Sequence, residues 1–252
     1  MNRPLRVLAS LVGALSMVAA VLASAPLNAT GAVASYQLTY ASLPNGTRAV
    51  VRWNGCQTDI TYKVNLAAVP ASLRPTILSE TQTTVNQLAL YTGFRFSYKG
   101  ATSEVPRVGS LPRQSAELVI AYTTPSQTTY NLSGSAVGEG GLYYAWSSMT
   151  SNGTTRYSVA AQRGFVVIDT PQMLRQLHGG FGTGMRRTNL LMHELGHVVG
   201  LQHVGDARQA MYPALLTTAP RLGNWGDRTA FGLVGRRAGC IDTRYLPLRD
   251  LS

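Results

Sequence analysis

The chain has 252 residues, 45% of them apolar and 13% charged, enough to bury a full hydrophobic core and outside the range of a disordered polymer. Its 22 Lys and Arg face 11 Asp and Glu, and the formal net charge of +11 suits a nucleic acid, an anionic cell envelope or an acidic polymer as a neighbour. The basic residues are mostly single arginines such as Arg95, Arg107 and Arg113, with Arg186-Arg187 and Arg236-Arg237 as the densest clusters, so no nucleic-acid site is expected and an envelope contact stays open.

Residues 1–34 place Arg3 and Arg6 before an apolar stretch rich in Ala, Leu and Val, the pattern of a secretory signal peptide. Ala23-Ser24-Ala25 is followed by Pro26, which disfavours cutting there, whereas Ala32-Val33-Ala34 precedes Ser35, so cleavage is expected after Ala34. An uncleaved membrane anchor is the alternative, because the apolar run approaches spanning length, and no later segment does. From residue 35 to 252 the composition is uniform, which predicts one domain.

Residues 49–53 and 60–64 have strand composition with Asn54-Gly55 turn chemistry between them, and are expected to be neighbouring strands. Across residues 73–91, Ile77, Val85, Leu88 and Leu90 recur at helical spacing and Gly93 supplies a stop, predicting the first helix. Residues 94–98 and 118–122 read as strands, the second apolar enough to be central. Gly138-Glu139-Gly140-Gly141 leads into a strand at 142–146, and another follows at 165–169 after a turn at Asn152-Gly153. The expected fold is α+β, a mixed twisted sheet carrying two long helices, with an irregular tail after Gly205.

The second helix carries His193-Glu194-Leu195-Gly196-His197-Val198-Val199-Gly200-Leu201-Gln202-His203. At 3.6 residues per turn, His193 and His197 project from one face and can share a metal, while Leu191, Leu195, Val198 and Val199 form the buried stripe. Gly200 tolerates the left-handed backbone needed to end the helix, so the chain can turn back and bring His203 to the same ion. Three nitrogen ligands leave a fourth position for water, and Glu194, beside the first ligand, is placed to take its proton and pass it to a leaving amine. A zinc ion there would lower the pKa of that water and polarise a scissile carbonyl. Three of the four histidines of the chain lie in this segment.

In this segment the chain resembles the metzincin clan of zinc endopeptidases, whose HExxHxxGxxH signature is matched at His193, Glu194, His197, Gly200 and His203. Met211-Tyr212-Pro213 is similar to the methionine turn of the matrixins, which implies Met211 beneath the zinc and Tyr212 and Pro213 walling a substrate pocket. The resemblance also implies that Gly141, Leu142 and Tyr143 form an edge strand that pairs with an extended peptide. There are departures: no cysteine-switch propeptide, Val204 and Gly205 where matrixins usually have serine, and, besides the motif, only His178 for a second zinc. One catalytic zinc is therefore expected. Asp206 is read either as orienting His203 or as capping a turn. No Asp-x-Asp run exists, so structural calcium is not assigned.

Cys56 and Cys240 are expected to pair in an exported chain, the competing reading being a free thiol that caps the zinc. Together these features predict a secreted, monomeric zinc endopeptidase acting on protein or peptide substrates.

Overall fold

The computed structural model describes residues 35–57, 59–110, 113–221, 223–244 and 246, with the backbone of Ser10 and Leu11. The signal-peptide reading and its cut after Ala34 lie otherwise outside the described residues. The elements are β1 (Ser10–Leu11), β2 (Tyr40–Ser42), β3 (Arg48–Val50), β4 (Ile60–Asn65), α1 (Arg74–Thr92), β5 (Phe96–Ala101), β6 (Leu118–Thr123), β7 (Gly138–Ser151), β8 (Thr154–Asp169), α2 (Thr170–Gln176), α3 (Arg187–Val198) and α4 (Trp225–Val234).

The fold is α+β. Five strands form a mixed sheet in the order β5-β4-β6-β8-β7, parallel except for β7, which runs antiparallel to β8. The two-residue β1 touches the outer edge of β7 at Ala145 and Trp146. Every residue of β6 is buried, as expected of a parallel strand covered on both faces. The β7–β8 hairpin turns at Asn152 and Gly153, both at positive φ, the backbone that matches a tight turn to strand twist.

The first helix forms almost where it is predicted. Gly93 ends it in the left-handed conformation, φ 73°, its N–H bonded to the Ala89 carbonyl. Three buried threonines of α1 satisfy their hydroxyls on carbonyls one turn back, at Ile77, Glu80 and Leu88. Glu80 also forms a bidentate pair with Arg187 at the start of α3, both bonds 2.9 Å, which ties the two helices.

Two expectations are corrected. Residues 49–53 and 60–64 are not neighbouring strands: β3 pairs with β2 in a separate two-stranded sheet, and the chain beyond it meets β8 where its pairing with β7 skips Gln162, Ala161 N–H donating to the Arg52 carbonyl at 2.9 Å. The apolar residues there serve a different packing. Val51 and Trp53 are buried under the end of α3, with the Trp53 indole N–H donating to the Val198 carbonyl at 2.8 Å. The tail after Gly205 is not irregular throughout either, since it contains α4. Asn224 caps that helix through Trp225 N–H and Asp227 closes a reciprocal capping box, a start signal in a short and Gly-interrupted segment.

Cys56 and Cys240 form a disulfide, which overturns the free-thiol alternative. The bridge spans 184 positions, and Arg52 reinforces it by donating to the Gly239 and Ala238 carbonyls. Closing so long a loop restricts the unfolded chain strongly. Replacing both cysteines by serine is expected to lower stability by roughly 3–5 kcal/mol, read as a lower urea midpoint. An unchanged midpoint would show that the unfolded state is not constrained by the bridge. Among the described residues, no helix is long and apolar enough to cross a membrane.

Candidate metal centre

The site starts from the packing of α3. Leu191, Leu195 and Val198 are fully buried on its core side, which turns His193 and His197 towards a cleft beside β7. Gly200 then ends the helix at φ 102°, and a Cβ there would collide with the Val51 carbonyl, so both the backbone angle and the space demand glycine. Thr39 N–H donates to the Gly200 carbonyl and Gln202 N–H to the Gln37 carbonyl, holding the turn against residues 37–39. This returns His203 to the two helical histidines.

The imidazole Nε2 of His203 lies 3.0 Å from that of His193 and 3.1 Å from that of His197. His193 Nδ1 donates to the Ala210 carbonyl at 2.6 Å and His197 Nδ1 to the Leu201 carbonyl at 2.9 Å. A carbonyl only accepts, so these bonds place each ring's proton on Nδ1 and leave the Nε2 lone pairs converging. Burial and the neighbouring His203 lower His193 to about 4, and burial with the other two rings lowers His197 well below its ordinary value. Burial also lowers His203. A proton shared among the rings is thus disfavoured near neutrality, whereas nitrogens bound to one zinc at about 2.0–2.1 Å lie roughly 3.0–3.4 Å apart. The residues present fit a metal ion. Imidazole nitrogens suit zinc and several other transition ions.

Glu194 is buried against β7. A Cβ at Gly138 would come within 2.9 Å of its Oε1, and one at Gly140 would overlap its backbone carbonyl, so these glycines are what let α3 settle so close to the strand. Burial and then the charge of Glu139 raise the Glu194 carboxyl from 4.5 to about 8, opposed by a hydrogen bond from the Gly140 backbone. Between these values the folded metal-free protein keeps a proton on Glu194 that the unfolded chain has released, so the contribution of Glu194 to stability falls as pH rises through that window. Glu194→Gln removes this dependence. In chelator, its stability relative to the parent is expected to improve on the order of 3 kcal/mol from pH 5 to pH 8, by urea denaturation. A gap that is the same at both pH values counts against a buried, proton-retaining Glu194.

Met211 is buried, and its sulfur sits where a Cβ on Gly196 would be, so the turn packs directly on α3 between the two helical histidines. Asp206 accepts from Arg208 N–H at 3.0 Å, from the Arg208 guanidinium and from Gln209 Nε2. It therefore caps the turn, as the second of its two readings has it, and the Arg208 bonds hold it well below the usual carboxylate range. Asp227 of α4, which sequence reasoning did not single out, holds the turn from below. Its carboxylate accepts from the N–H groups of Ala210, Met211 and Asn224 at 2.8, 3.3 and 2.7 Å. Asp227 thus supports the very peptide whose carbonyl orients His193.

The cleft beside the histidines measures about 420 Å³. Gly141, Leu142 and Pro213 line it, together with the apolar side chains of Val137, Leu177, Met185, Leu190 and Leu215. Tyr143 points to the other face of the sheet, packing with Tyr130 and Phe165, and Tyr212 does not line the cleft. Leu177 and Met185 were not anticipated because nothing in their local sequence distinguishes them from core residues.

The fold and site thus define an α+β protein with three clustered histidines compatible with a metal ion. No protein-family model matches the chain, and no curated protein matches it.

Proposed function

We propose that this chain is a metzincin-like zinc endopeptidase, most similar to the matrixins, that is exported and cuts internal peptide bonds. The observation that carries the reading is the convergence of three Nε2 atoms whose partners fix the lone pairs inward, with a buried glutamate on the residue after the first histidine. A zinc ion held by His193, His197 and His203 would lower the pKa of water and polarise a carbonyl. Glu194 is the group available to accept the proton from the attacking water and return it to the departing amine. Its raised proton affinity suits the acid half of that cycle, and a cation nearby would favour the carboxylate for the other half.

Substrate would enter as an extended segment. The outer edge of β7 from Gly138 to Tyr144 carries no strand among the described residues, so its backbone can pair with a peptide laid along the cleft. The apolar lining at Leu177, Met185 and Leu190 favours a substrate with a large apolar side chain. The disulfide supports an oxidising location, in keeping with the N-terminal pattern. One zinc per chain and a monomer are expected.

The test is metal content together with casein hydrolysis, with and without a chelator. One zinc per chain, activity lost in chelator and restored by zinc at stoichiometric amounts, supports the reading. Bound zinc without cleavage of casein or of a peptide library would favour a metal-binding protein without turnover.

A further inference from the structure

Part of the excess positive charge gathers in one segment of the chain. Residues 221–239 contain Arg221, Arg228, Arg236 and Arg237 and one acid, Asp227, which is buried beneath the methionine turn. None of the four arginines pairs with a carboxylate among the described residues, where the ion pairs involve Arg95, Arg187, Arg208 and Arg244. Arg228 instead lies over the Tyr91 ring at 5.4 Å, and Arg236 reaches the Gly55 carbonyl. Their charge faces solvent uncompensated.

Helix α4 is divided cleanly. Gly226, Asp227, Ala230, Phe231 and Val234 are buried, while Trp225, Arg228, Thr229 and Leu233 are exposed. At 100° per residue the exposed set occupies one continuous arc. On it Trp225 is 60% exposed and Leu233 46%, both large apolar side chains left in water on the same arc as Arg228. An acidic polymer would use the arginines but give no reason for the indole and the leucine. A layer of anionic headgroups over acyl chains uses both. We propose that the exposed face of α4 docks the protein on an anionic lipid surface, with Trp225 and Leu233 inserted at headgroup level and Arg228, Arg236 and Arg237 on lipid phosphates. No residue of α4 lines the cleft, so docking does not occupy the metal site.

The fluorescence of the protein offers a direct reading, because Trp53 and Trp146 are buried and Trp225 is the exposed one of the three tryptophans. Vesicles of phosphatidylglycerol and phosphatidylcholine are expected to sediment the protein, shift its emission to the blue and allow quenching by brominated acyl chains. Phosphatidylcholine alone should do none of these. Replacing Arg228, Arg236 and Arg237 together by Gln should weaken partitioning about a hundredfold. Trp225→Ser with Leu233→Ser should weaken it further than any single arginine change, while casein hydrolysis and circular dichroism stay at the parent level. Absence of sedimentation on anionic vesicles overturns the proposal. So does sedimentation without a change in Trp225 emission, or binding to soluble heparin that matches vesicle binding and survives the Trp225 and Leu233 changes, since each reduces the face to a polyanion contact.

Discussion

Glu194→Gln is expected to lower casein hydrolysis by about 10²–10⁴-fold while bound zinc stays at the parent level. The glutamate is not one of the three converging nitrogen donors, and its carboxyl is held in place by β7 through Gly138 and Gly140. Glutamine keeps the shape and can still accept the Gly140 hydrogen bond, but it cannot take up a proton. The loss should therefore fall on turnover and not on metal content or folding. His203→Ala is the contrasting variant, expected to lose metal and activity together because it removes the nitrogen that lies within 3.1 Å of both others. Metal analysis and initial rates on the purified variants separate the two outcomes. Near-parent activity in Glu194→Gln would remove Glu194 from the proton-transfer role.

Asp227→Ala should be the most damaging change outside the cleft. It leaves the N–H groups of Ala210 and Met211 in the turn, and of Asn224 at the start of α4, without their acceptor in a partly buried setting, a cost of about 3–5 kcal/mol from the orphaned donors. The Ala210 carbonyl that holds His193 Nδ1 belongs to the same turn, so its orientation would loosen. Zinc affinity is expected to fall about 10–100-fold, with Asp227→Asn intermediate because one acceptor oxygen remains. Urea denaturation and competition with a chromophoric chelator measure the two effects. A variant with lowered stability and parent zinc affinity would show that the turn does not transmit to the metal.

The histidine site was legible because its geometry is local. Spacing of four on a helix fixes two nitrogens on one face, and a glycine three residues later permits the return of the third, so short-range backbone rules carry the arrangement. The turn at Asn152-Gly153 and the helix stop at Gly93 are legible for the same reason, although the strands that the turn joins run over 138–151 and 154–169 and not only over 142–146 and 165–169. Residues 49–53 failed as a neighbour of β4 because apolar alternation reports burial and not the partner, and Trp53 found its partner 145 positions away at Val198. Helix α4 was missed because Gly226 and Gly232 weaken its propensity, whereas docking of Phe231 and Val234 in the core stabilises it.

By itself the sequence determined the three nitrogen donors and the glutamate beside the first of them. Tertiary structure alone decided what surrounds them: Asp227 beneath the turn at Met211, the glycines of β7 against Glu194, the apolar lining of the cleft and the exposed face of α4. The physical reason is separation along the chain. Ligand spacing depends on a helical period, but the groups that orient the ligands, the cleft and the surface arise where segments far apart in sequence pack together, and no local pattern encodes that meeting.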